Sequence, residues 1–130
     1  MEIFTPIKDS NSQLTEATTP RVAVLVGATD GIGKDALKAL VSSGFPLRAY
    51  IVGRDKAKHQ HLLEELRAIN TNADLIYLEG QISLVSEVRR ITDEINSKEQ
   101  KIDLLYHSAG FLPFTGRKGV HNCNPTIRER

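Results

Sequence analysis

One short segment constrains the fold of this chain more than any other: VAVLVGATDGIG, residues 22–33. Its first five residues are small, apolar or β-branched, which is typical of a fully buried strand. Three glycines follow, and residues 34–41 then have the apolar spacing of a helix. A strand, a glycine turn and a helix in this order present backbone N–H groups and the positive end of a helix to a phosphate. Glycine suits the turn because a Cβ would hold a pyrophosphate away from the amides.

The spacing of the glycines distinguishes between phosphate-binding loops. Gly27 and Gly33 are one residue too far apart for G-x-x-x-x-G-K, and Asp35 stands where that loop needs a Ser or Thr for its metal. Gly31-x-Gly33-x-x-Ala36 fits the general dinucleotide-binding pattern. The wider spacing Gly27-x-x-x-Gly31-x-Gly33 fits the turn better, because the predicted strand ends next to Gly27. A tight connection that binds no ligand is the alternative interpretation.

Residues 27–33 resemble the cofactor loop of the short-chain dehydrogenases/reductases, whose pattern is T-G-x-x-x-G-x-G. Val26 replaces the usual threonine, which changes a local hydrogen bond but not the phosphate-binding turn. The resemblance extends from Arg21 to Gly110 and fades after it. It implies an NAD(P)-binding Rossmann-like fold, and hydride transfer between the cofactor and a carbonyl or alcohol. The loop residues that it assigns to the cofactor are Gly27, Thr29, Asp30, Gly31, Ile32 and Gly33.

The remaining pattern alternates strands and helices. Strands are predicted at 22–26, 47–52, 74–78 and 102–106. Helices are predicted at 34–41, at 56–69 with Leu62, Leu66 and Ile69 on one face, and around apolar positions 84, 88, 91 and 95. Alternation favours parallel βαβ units, and a doubly wound sheet has the order 3-2-1-4. We therefore expect an α/β fold, a partial Rossmann-like domain in residues 21–110. Residues 1–20 are expected to be a disordered lead-in, in which Ile3, Phe4 and Ile7 are candidates to dock on the sheet, and residues 111–130 an irregular tail.

Composition limits the class of protein. A chain of 130 residues with 40% hydrophobic and 25% charged residues forms one domain with a core. The formal net charge of +1 gives no electrostatic reason to expect a nucleic acid or membrane partner. The single cysteine, Cys123, forms no internal disulfide, which fits the cytoplasm. His59 and His61 lack the spacing of a metal site, so no metal is predicted.

The end of the second predicted strand bears on the choice of cofactor. An acid about 20 residues past the glycine loop would bind the ribose 2′-hydroxyl of NAD, but Arg54 stands there. A guanidinium can bind a 2′-phosphate through two hydrogen bonds, so NADP is favoured over NAD. Two alternatives stay open: Asp55 binds the ribose, or Arg54 only ends a strand in solvent.

Two further sites follow from the resemblance alone. Glu79, in Leu78-Glu79-Gly80, falls where the family has an aspartate close to the adenine amino group, although an acid that merely ends a strand is the alternative. His107-Ser-Ala-Gly110 falls where the family has N-N-A-G. Ala109 and Gly110 match, and small residues there let the nicotinamide ribose lie against the backbone. His107 and Ser108 depart from the pattern, and we interpret His107 as a histidine that satisfies backbone groups.

No catalytic residue is predicted. The family uses Tyr-x-x-x-Lys, in which tyrosine transfers the proton and lysine lowers its pKa. Here the three tyrosines, Tyr50, Tyr77 and Tyr106, are followed four residues later by Arg54, Gln81 and Gly110. We therefore expect a truncated member whose last residues are foreign to the family, with little or no independent turnover on a small-molecule substrate. The alternative is a non-catalytic nucleotide-binding or interaction module that self-associates through the exposed edge of its fourth strand.

Overall fold

The computed structural model describes residues 4–110. Its centre is a parallel four-stranded sheet in the order β3-β2-β1-β4. The strands are β1 Val22–Val26, β2 Leu47–Gly53, β3 Ala73–Glu79 and β4 Leu104–His107. In the middle of the sheet, Val24 of β1 lies opposite Tyr50 on one side and Leu105 on the other. The predicted α/β class and strand order are confirmed, because buried apolar strands separated by amphipathic helices have few other ways to pair.

Four α-helices accompany the strands within residues 4–110: α1 Thr5–Ser12, α2 Gly31–Val41, α3 Gln60–Ile69 and α4 Val85–Lys98. The helix predicted at 56–69 divides into a 3-10 turn, Ala57–His59, and α3. The Asp55 carboxylate accepts a hydrogen bond from the Lys58 amide at 3.0 Å and so stabilises that turn. Helix α2 begins earlier than predicted because Asp30 caps it.

One face of the sheet packs against α2 and α3. The large, fully buried side chains on this face include Leu25, Leu37, Val41, Ile51, Leu63 and Leu66. Ile69 was predicted to share the buried stripe of α3, but 46% of it is exposed. The next residue, Asn70, is buried instead, and its side-chain amide donates to the carbonyl groups of Val41 and Phe45. The last turn of α3 is therefore held by a polar contact.

The other face of the sheet packs against α4 through Ile91 and Ile95. Tyr50 is fully buried there, and its hydroxyl donates to Glu99 at 2.7 Å. Burial, followed by this hydrogen bond, raises the pKa of Tyr50 to about 12. Val88 was predicted on the inner stripe but is 42% exposed. Leu105 in β4, which pairs only with β1 in the described part of the chain, is 66% exposed.

Asp103 fastens the start of β4 to the start of β1. Its carboxylate accepts hydrogen bonds from the amides of Arg21 and Val22 at 3.0 and 3.1 Å, and it forms an ion pair with Lys101. The Lys101 ammonium, together with these two amides, lowers the pKa of Asp103 to about 2. This carboxylate therefore helps to set the register of β4.

The lead-in differs from the expectation of disorder, since residues 5–12 form α1. Proline in the first turn favours a helix there, because its fixed φ is helical and its missing N–H needs no partner. No residue of α1 is buried, and Phe4 and Ile7 are 69% and 55% exposed, so the docking considered for them does not occur. Ile3 and the tail at 111–130 lie outside the described residues. No helix within residues 4–110 is long and apolar enough to cross a membrane.

Candidate functional site

The glycine turn joins β1 to α2 at the carboxyl edge of the sheet. Gly27 and Gly31 have φ angles of +79° and +56°, in the left-handed region that favours glycine. The Asp30 side chain accepts the Gly31 N–H at 2.8 Å and caps the helix. The amides of Ile32 and Gly33 donate to no group within residues 4–110. The turn therefore presents free donors at the positive end of a helix whose first turn holds no acid.

The space around the three glycines differs. A Cβ on Gly31 would meet nothing within 4 Å, so the surface beside it is open. A Cβ on Gly27 would lie 2.5 Å from the Ala109 nitrogen and 2.6 Å from its Cα. A Cβ on Gly33 would overlap the hydroxyl oxygen of Ser108. Gly27 and Gly33 are thus required by close packing, whereas Gly31 faces free space.

The segment after β4 lies directly against this turn. The Ser108 and Ala109 amides both donate to the Val26 carbonyl, at 2.9 and 3.2 Å. The Ser108 hydroxyl donates to the Gly27 carbonyl at 3.0 Å. The structure therefore brings together two segments that the sequence places about 80 residues apart. Ser108 departs from the family pattern and was not predicted as a site residue, because nothing in the local sequence indicates this contact.

The end of β2 forms the third part of the site. Gly53 lies beside the buried hydroxyl of Tyr77, and a Cβ there would overlap that oxygen and approach the Thr29 methyl at 3.2 Å. The Tyr77 hydroxyl has no hydrogen-bond partner in the described part of the chain. Burial raises the pKa of Tyr77. Arg54, next to Gly53, is exposed and forms no hydrogen bond or ion pair with residues 4–110.

The two acids near Arg54 are engaged with main-chain amides. The Glu79 carboxylate accepts the Lys56 N–H at 3.0 Å, and that of Asp55 accepts the Lys58 N–H. Glu79 was predicted to accept a hydrogen bond from the adenine amino group, with an acid that merely ends a strand as the alternative. In the structure, one of its carboxylate oxygens accepts the Lys56 N–H. Asp55, considered for the ribose, likewise has one oxygen in use. Neither acid pairs with Arg54.

No hydrogen bond joins a histidine to a tyrosine in the described part of the chain. His107 is exposed and its side chain makes no hydrogen bond within residues 4–110, so the side-chain contact with backbone groups predicted for it is not observed. His59 contacts the edge of Tyr77, with ring centroids 6.4 Å apart. No group of three metal-ligating side chains occurs within residues 4–110. The hydroxyls of Tyr50 and Tyr77 are both buried.

Comparison with protein families matches residues 21–127 to the family described as short chain dehydrogenase. The match extends past Gly110, where the resemblance was expected to fade, and includes most of the last residues, which were expected to be foreign to the family. The NmrA-like family domain-containing oxidoreductase notO of an Aspergillus species is 36% identical over 127 residues, which are 95% of this chain and 38% of the relative.

Two further proteins are similar over a shorter part of the chain. Oxidoreductase lepF of Aspergillus flavus is 42% identical over 92 residues, covering 71% of this chain and 26% of the relative. The crystal structure of YwfH, an NADPH-dependent reductase involved in bacilysin biosynthesis, has a TM-score of 0.59 and 28% identity. The matched region covers 65% of this chain and 33% of the YwfH chain. The chain thus corresponds to well under half the length of each of these three proteins.

Proposed function

The chain belongs to the short-chain dehydrogenase/reductase family, and from this premise we propose that residues 21–110 bind a dinucleotide, NADP in preference to NAD. The observation that supports this most is the open surface beside Gly31. The amides of Ile32 and Gly33, in the first turn of α2, donate to no group within residues 4–110, and no described atom lies within 4 Å of a Cβ placed on Gly31. A pyrophosphate suits such a turn because it accepts hydrogen bonds and carries negative charge.

We propose a role for each predicted site residue. The pyrophosphate turn consists of Gly27, Gly31, Ile32 and Gly33, and Asp30 caps the helix that follows it. Thr29 lies in the same turn, next to Gly53. Of the other predicted residues, Arg54 would bind the 2′-phosphate, and Ala109 and Gly110 would lie against the nicotinamide side. Glu79 contributes through the Lys56 N–H that its carboxylate accepts. Ala109 packs on Gly27, so the nicotinamide side of the cofactor would lie close to the pyrophosphate turn.

The preference for NADP rests on Arg54. Its guanidinium is exposed and unpaired within residues 4–110, although two acids lie near it in sequence or across the sheet. A free guanidinium at this place attracts a 2′-phosphate, and no carboxylate has to be displaced from it first. YwfH, to which this chain is similar, is an NADPH-dependent reductase, which is consistent with this choice.

We propose hydride transfer between NADP(H) and a carbonyl or alcohol as the chemistry of the whole family member, with little or no turnover by these 130 residues alone. When bound, the nicotinamide supplies the hydride, and the residues of this chain hold and orient it. None of the tyrosines is followed four residues later by lysine, so the proton-transfer pair of the family is absent from the sequence.

Calorimetric titration of the full chain with NADP and with NAD tests the proposal. Arg54→Ala should weaken NADP binding at least about tenfold, the factor of a charge-assisted hydrogen bond, and leave NAD binding unchanged. Arg21→Ala is the matched control, since it also removes an exposed arginine but at the amino end of β1. An equal loss of NADP affinity in the two variants, or no dinucleotide binding by the wild type, would contradict the proposal.

A second candidate function is pairing of β4 with another chain. In the described part of the chain β4 hydrogen-bonds to β1 alone, and Leu105 is largely exposed on it. An open strand edge of this kind adds strands readily. Native mass spectrometry should then detect a dimer that Leu105→Lys weakens; a monomer at all concentrations would exclude it.

A further inference from the structure

The turn that follows β2 is held at both of its ends by the end of β3. Gly53 lies opposite Glu79 in the sheet, and its carbonyl accepts the Gly80 N–H at 2.9 Å. Three residues later the Lys56 N–H donates to the Glu79 carboxylate at 3.0 Å. Glu79 therefore contacts the turn through both its main-chain register and its side chain. The residues between these two points have little freedom to move away from the sheet.

Arg54 lies between the two points. It is exposed and has no partner within residues 4–110, although Glu79 and Asp55 both carry carboxylates in this region. Those carboxylates accept the amides of Lys56 and Lys58 instead. The acids thus hold the main chain that follows the cation without neutralising it through an ion pair.

We infer that Glu79 is a positioning residue for recognition of the 2′-phosphate, an inference that rests on the proposed function. Its carboxylate holds the main chain of the turn, so that Arg54 is already in place when the cofactor arrives. A turn that is formed in advance spares the conformational entropy of ordering it on binding. Because a negative charge near a phosphate is repulsive, Glu79 serves the site through its hydrogen bond and not through its charge. If Glu79 instead bound the adenine, it would strengthen the binding of NADP and of NAD equally.

Two substitutions separate the hydrogen bond from the charge. Glu79→Gln and Glu79→Ala both remove the carboxylate charge, but only glutamine keeps an oxygen that can accept the Lys56 N–H. Each full-length variant is titrated with NADP and with NAD, and the ratio of the two dissociation constants is compared. We expect the glutamine variant to keep at least the wild-type preference for NADP. The alanine variant should have a preference about fivefold lower than glutamine, the factor of one ordinary hydrogen bond.

A second measurement needs no cofactor. Amide hydrogen exchange by NMR should be faster at Lys56 in Glu79→Ala than in Glu79→Gln, because only the alanine variant leaves this N–H without its acceptor. Equal exchange rates, an equal NADP preference in the two variants, or equal weakening of NADP and NAD would each overturn the inference. A wild-type chain that binds neither dinucleotide, or without a preference between them, would instead overturn the proposed function, and the role of Glu79 with it.

Discussion

Replacing Gly27 with alanine tests whether the segment after β4 packs on the glycine turn. An alanine at a φ of +79° is strained by about 1–2 kcal/mol, of which the stiffer unfolded chain offsets up to about 1 kcal/mol. The new methyl group would also lie 2.5–2.8 Å from three atoms of Ala109, two of them in the main chain. Overpacking of this kind costs a further 1–3 kcal/mol, roughly. With a net backbone strain of about 1 kcal/mol, the total is about 2–4 kcal/mol, a large part of the roughly 5–15 kcal/mol by which a domain is stable.

Gly44→Ala is the matched control, because Gly44 has a φ of +76° and a methyl group added there would meet nothing within 4 Å. Urea unfolding followed by circular dichroism measures both variants. With a slope of about 1.5 kcal/mol/M, the midpoint should fall by about 0.7 M for Gly44→Ala and by at least about 1.3 M for Gly27→Ala. Equal midpoints would refute the reasoning, since backbone strain alone would then explain both variants and the contact with Ala109 would be absent.

Three further predictions concern single side chains. Gly31→Ala should cost as little stability as Gly44→Ala but weaken NADP binding at least about tenfold, because its methyl group enters the proposed pyrophosphate space; unchanged affinity in a calorimetric titration would contradict this. Tyr77→Phe removes a buried hydroxyl that has no partner within residues 4–110, so the melting temperature should stay equal or rise, and a clear fall would reveal a partner for that hydroxyl. The pKa of Asp103 is lowered from 3.8 to about 2, so the stability it contributes is present above about pH 4 and is lost as the pH falls towards 2. In Asp103→Asn the midpoint of urea unfolding should depend less on pH across that range than in the wild type. Parallel plots of midpoint against pH for the two proteins would argue against this role of Asp103.

The strands and their order were predictable because they depend on local pattern. The apolar runs that became β1, β2 and β3 are bounded by glycine, asparagine or polar residues, and the helices between them have one apolar face each. Such alternation leaves few topologies open. The errors lie where local pattern is weak: the lead-in forms a helix without buried residues, and the burial of Ile69 and Val88 was overestimated. Periodicity indicates which face of a helix is apolar, but not how far the sheet beneath it extends.

The site was predictable only in part for a similar reason. The glycine turn is a contiguous motif, so its residues could be identified directly from their spacing. The contact of Ser108 with Gly27 and that of Glu79 with Lys56 join residues on different strands, and neither leaves a mark in the local sequence. Glu79 illustrates the limit, because the sequence placed it at the correct edge of the sheet but did not reveal what its carboxylate binds.

The amino-acid sequence was enough to predict which segments of residues 21–110 become strands and helices, that the strands run parallel, and where the glycine turn lies. These properties follow from side-chain periodicity and from the backbone freedom of glycine, both of which are local. Three features became apparent only from the folded chain: Arg54 is unpaired within residues 4–110, Gly27 must accommodate Ala109, and the acids beside the turn bind amides. Those outcomes depend on distances between separate strands, which parallel pairing sets only once the sheet has formed.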